Sequence, residues 1–85
     1  MRVLSGYVWG KITTKFEHHM TVECEGVRCQ VARADVRQDG EGYRILVGAS
    51  ITHVFPGSCS PTRFGEDVQV PTALIARILG SQKAA

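Results

Sequence analysis

Twelve consecutive residues, Met20 to Val31, fix a β-hairpin and its register. A two-residue turn at Glu25-Gly26 uses the freedom of glycine at positive φ. It sets Cys24 opposite Val27, Val22 opposite Cys29 and Met20 opposite Val31. Glu23 then faces Arg28, and Thr21 faces Gln30, on the other side. One face is apolar and the other is polar with a cross-strand charge pair. A one-residue slip would turn every apolar side chain outward, so the register is strongly specified. The segment implies an antiparallel sheet with one dry side.

The flanking sequence extends that sheet. Val3 to Ile12 reads as a first strand, with Leu4, Val8 and Ile12 on one parity and Val3, Tyr7 and Trp9 on the other. Gly6 and Gly10 lie on the Leu4 parity, which suggests strong curvature. Thr13-Thr14 is expected to turn the chain. Phe16 to Cys24 is the second strand and Val27 to Val36 the third, with a bulge expected near Val31-Ala32, where the apolar parity slips. A short helical turn over Ala32 to Gln38 is the alternative. Asp39-Gly40-Glu41-Gly42 is a turn with two glycines for positive φ. Tyr43 to Phe55 alternates as one long fourth strand, and Asp67 to Val70 as a short fifth. Pro71 then opens a helix with an apolar stripe of Leu74, Ile75, Ile78 and Leu79, and Gly80 is expected to end it.

A chain of 85 residues, 44% hydrophobic and 21% charged, suits one folded domain, expected over residues 1–80 with a flexible tail at 81–85. The net charge of +2 does not by itself imply a polyanionic partner. Three cysteines, an odd number, argue against a disulfide framework and for a reduced, cytoplasmic protein. No stretch approaches a membrane span.

The expected class is α+β and mostly β: a strongly curved antiparallel sheet of four to five strands, or a small partly open barrel, with one short C-terminal helix. Such a sheet presents Val22, Cys24, Cys29, Val31, Ile45, Val47 and Ile51 on one face. Leaving such side chains in water forgoes about 1.5–3 kcal/mol each. One short helix cannot cover them, so the sheet must curl or two copies must associate.

Few residues suggest chemistry. His18-His19 point to opposite faces of a strand and cannot share an ion, and Cys24 and Cys29 lack zinc-site spacing, so no metal or cofactor is expected. Cys59, His53 and Asp67 supply the residue types of a thiol enzyme at the 56–65 loop, without a local signature. Glu66-Asp67 reads as a lead into a strand and as favourable charge near the last helix. Gly40-Glu41-Gly42 lacks the Lys-Ser/Thr and helix of a phosphate loop.

Tyr7, Trp9 and Lys11 stand on the parity opposite the expected core, alongside Arg28 and Arg44 on the polar faces of other strands. Aromatic residues with Arg are the composition of an interface centre. The sequence therefore suggests a non-catalytic interaction module that self-associates, as a dimer in the favoured form, or binds another protein through these five residues. Single-stranded nucleic acid is the alternative partner, because rings stack bases and cations meet phosphates. In a competing arrangement, Trp9 packs under the helix against Leu74 and Ile78.

Overall fold

The computed structural model describes residues 6–40, 42–55 and 64–84, with side chains as far as residue 80. Seven strands are β1 (Tyr7–Lys15), β2 (His19–Cys24), β3 (Val27–Ala32), β4 (Val36–Asp39), β5 (Gly42–Ile45), β6 (Ile51–Val54) and β7 (Glu66–Pro71), followed by helix α1 (Thr72–Ala84). They form one sheet in the order β4-β5-β7-β1-β2-β3-β6, so β1 is the central strand. All neighbours are antiparallel except β5 and β7. The sheet curls into a half-barrel, and the helix packs against β7, β3 and β6.

The β2–β3 hairpin has the register expected from its letters, from Met20 opposite Val31 to Cys24 opposite Val27. Glu25 and Gly26 both take positive φ, +54° and +80°, the signature of the tight turn that matches strand twist. The inner face gathers Ile12, Met20, Val22, Cys24, Val27, Cys29, Val31, Ile45, Val68 and Val70. Leu74, Ile75 and Ile78 of α1 close the core. Curling thus buries in one chain the apolar face that one helix could not cover over a flat sheet.

Several elements differ from the sequence expectation. β1 runs on to Lys15, with Thr13 as an irregularity and not a turn. At Ala32 the chain leaves the sheet through a 3-10 turn, Arg33–Asp35, which separates β3 from β4, and a register irregularity near the expected bulge falls between Gln30 and Val31, against β6. Tyr43 to Phe55 is two strands, not one. β5 lies beside β7 and β6 at the far edge. Between them the Ala49 amide donates to the Leu46 carbonyl (3.0 Å), and Asp35 accepts from the amides of Leu46 and Ser50. Val47, expected in the core, is 55% exposed on this connection. Gly40 has φ +66°, whereas Gly42 serves close approach: a Cβ there would lie 3.0 Å from the Asp67 carbonyl oxygen. Pro71 ends β7 and does not open the helix, and α1 continues through Gly80. Glu66 and Asp67 begin β7, a full strand away from the helix start.

Candidate interaction surface

The outer face of the sheet carries two aligned rows of side chains. Cross-strand register places Asp67, Lys11, Glu23 and Arg28 side by side on β7, β1, β2 and β3. Their charges alternate in sign. Lys11 Nζ donates to Asp67 Oδ1 at 2.5 Å, and Arg28 Nε to Glu23 Oε2 at 3.1 Å. The Arg28 guanidinium also lies 5.8 Å from the Phe55 ring centroid. Glu23 is pressed into the row, its side chain only 11% exposed and its Oε1 buried without a partner.

The second row is Arg44, Gln69 and Trp9 on β5, β7 and β1. Trp9 is 64% exposed and Tyr7, two residues earlier on the same strand, 40%. Trp9 is therefore not under the helix; Leu74 and Ile78 are buried against the opposite, inner face. The parity of β1 explains this: Val8 packs on the core and Ile12 lies within it, so Tyr7, Trp9 and Lys11 must point outward. Arg44 lies 5.2 Å from the Tyr7 ring centroid and holds Asp39 at 2.8 Å. The five residues singled out in the sequence thus share one face. Glu23 stands opposite Arg28 as expected; Asp67, Asp39 and Gln69 belong to the same surface and were not foreseen, because only the pairing of β7 with β1 and β5 brings them there.

Arg37, opposite Arg44 on β4, donates to the Ala34 carbonyl, whereas Lys11, Arg28 and Arg44 are each engaged by a carboxylate. Lys15, farther along β1, is likewise bound by Glu66 and donates to the Tyr43 hydroxyl at 3.2 Å; these two bonds raise its pKa. The centre of the face therefore offers aromatic area with its cations paired, and among the described residues Arg37 at the β4 edge is a cation without a carboxylate partner.

The other candidates fall apart or lie elsewhere. His53 and Asp67 are on β6 and β7, with β3, β2 and β1 between them, and Asp67 is held by Lys11. Cys59 and residues 56–63 of the loop lie outside the described residues. His18 is exposed beside Glu17, and His19 packs its ring 4.9 Å from that of Phe16. Among the described residues no three His, Cys, Asp or Glu gather as a ligand set. Cys24 and Cys29 are buried and unbonded to each other, and burial pushes their thiols up to about 12 and about 11. Unionised thiols of this kind are inert packing groups. Among the described residues no helix is long and apolar enough to cross a membrane.

One feature escaped the sequence reading. Arg77 of α1 donates to the Val47 and Ala49 carbonyls at 3.3 and 3.0 Å, tying the helix to the β5–β6 connection. Beside it a groove of about 400 Å³ runs along β6, lined by Ile51, Thr52, His53, Val54 and Arg77.

No family model matches the chain, and comparison with curated proteins and with solved structures finds no similar one.

Proposed function

We propose that the protein is a non-catalytic interaction module that self-associates through the outer face of its sheet. Trp9 and Tyr7 are the anchors, with Arg44, Lys11 and Arg28 around them. The observation that carries this reading is the placement of Trp9, 64% exposed on the central strand of a seven-stranded sheet. A large aromatic residue on a rigid strand orders little when a partner covers it, so its burial translates well into affinity.

The charge row favours a second copy as that partner. Rotate the face by half a turn about an axis parallel to the strands and passing between β1 and β2. Lys11 then meets Glu23 of the other copy, and Asp67 meets Arg28, so the row is complementary to itself. The sheet curves across its strands, so the middle strands make first contact, and these carry Trp9, Lys11 and Gln69. Single-stranded nucleic acid fits this face less well. Lys11, Arg28 and Arg44 each already hold a carboxylate, and a phosphate would have to displace it.

A dilution series of amide spectra tests the reading. Amides of Tyr7–Lys11 and Asp67–Gln69 are expected to shift with concentration while those of β4 stay still. Spectra that do not change up to high micromolar concentration would remove self-docking by this face.

A further inference from the structure

The β6 edge and the groove beside it form a second, independent binding feature. Among the described residues β6 is paired only with β3, so one side of its backbone has no strand partner. The groove that adjoins this strand is lined by Ile51 and Val54 together with Thr52 and His53, and by one permanent cation, Arg77. Two of the five guanidinium N–H groups of Arg77 hold the Val47 and Ala49 carbonyls, which fixes its position and leaves three donors free. No carboxylate pairs with it among the described residues, unlike Lys11, Lys15, Arg28 and Arg44.

We propose that this groove takes an extended peptide segment of another protein, added antiparallel to β6, with an acidic side chain bound by Arg77. Strand addition supplies main-chain hydrogen bonds, and alternate side chains supply selectivity. Arg77 stands at the Ile51 end of β6, because it bonds Ala49 just before that strand. The C-terminal end of an antiparallel newcomer lies there, so the acidic residue belongs at that end. Charge complementarity decides against a second copy as occupant. A copy's own β6 region, Ser50 to Phe55, contains no Asp or Glu. Its other edge strand, β4, has Asp39, but Arg44 already holds that carboxylate at 2.8 Å.

The test titrates the full chain with a blocked hexapeptide of alternating Thr and Val ending in Glu, and with the same peptide ending in Lys. Amide spectra and the Arg77 Nε–H signal report binding. The Glu peptide is expected to shift Ile51–Val54 and Arg77, with at least ten-fold tighter binding than the Lys peptide. Arg77→Gln is expected to abolish that preference, and Arg77→Lys, which keeps the charge, to retain part of it. Equal binding of both peptides, or shifts confined to the Trp9 face, would overturn the proposal. So would no shift at millimolar peptide. Dissociation of a dimer by the peptide would assign this edge to a second copy and overturn it as well. Since the Trp9 face is not touched in these variants, failure here leaves the sheet-face reading standing, and the reverse.

Discussion

Gly10 of β1 lies directly against the backbone of Glu23 on β2: a Cβ built on Gly10 would stand 2.6 Å from the Glu23 carbonyl oxygen. The same atom would be 2.9 Å from Cys24 Cβ and 3.2 Å from a Val70 methyl. β1 is the central strand, so this close approach sits where the sheet bends around its core. Gly10→Ala is expected to force the strands apart and destabilise the fold by about 1–3 kcal/mol. Urea unfolding of the variant measures it. An unchanged midpoint would mean that the strands do not approach so closely.

The hairpin turn makes the opposite prediction. Glu25 has φ +54°, a region where a side chain other than that of Gly, Asn or Asp is strained. Glu25→Asn places Asn-Gly, the preferred pair for this turn, and is expected to raise stability by about 0.5–1 kcal/mol. A loss of stability would show that the hairpin turns elsewhere.

The helix seals the inner face chiefly through Leu74, which is fully buried. Leu74→Ala is expected to cost about 2–5 kcal/mol. In a domain of this size each kcal/mol lowers the melting temperature by about 4–8 °C. Leu79→Ala, on the exposed side of the same helix, serves as the control and should change it little.

The buried thiols set a limit at high pH. Burial, and for Cys24 also the nearby Glu25 charge, raises their pKa values from 9.0 to about 12 and about 11. Their folded values lie above the unfolded one, so their contribution is fully present below pH 9. Between pH 9 and about 11–12 the unfolded chain releases these protons and the folded chain keeps them, so stability falls as pH rises. Urea midpoints of the wild type and of Cys24→Ala/Cys29→Ala, followed from pH 7 to pH 11, test the assignment. The double variant should fall less steeply above pH 9, and identical slopes would contradict it.

What the sequence revealed follows the range of the interactions involved. The hairpin at Glu25-Gly26 was legible to the register because its alternation and its turn are local. The outward side of Trp9 was legible from the parity of Val8 and Ile12. The split of Tyr43 to Phe55 was not. Its alternation runs unbroken through Leu46 to Ser50, and what breaks the strand is Asp35, which captures the amides of Leu46 and Ser50 from outside the segment. The parallel pairing of β5 with β7 likewise left no local trace, so Asp39, Gln69 and Asp67 could not be assigned to the surface of Trp9. Arg77 lies off the apolar stripe of its helix, and only the position of β6 makes it part of a groove.

Sedimentation equilibrium from low to high micromolar concentration, on the wild type and on Trp9→Ala, tests the central functional claim most directly. Trp9 is outside the core, so its removal should alter stability by no more than about 0.5 kcal/mol. The wild type is expected to associate reversibly and the variant to remain a folded monomer. A wild type that stays monomeric throughout, or a variant that associates equally well, would contradict the account.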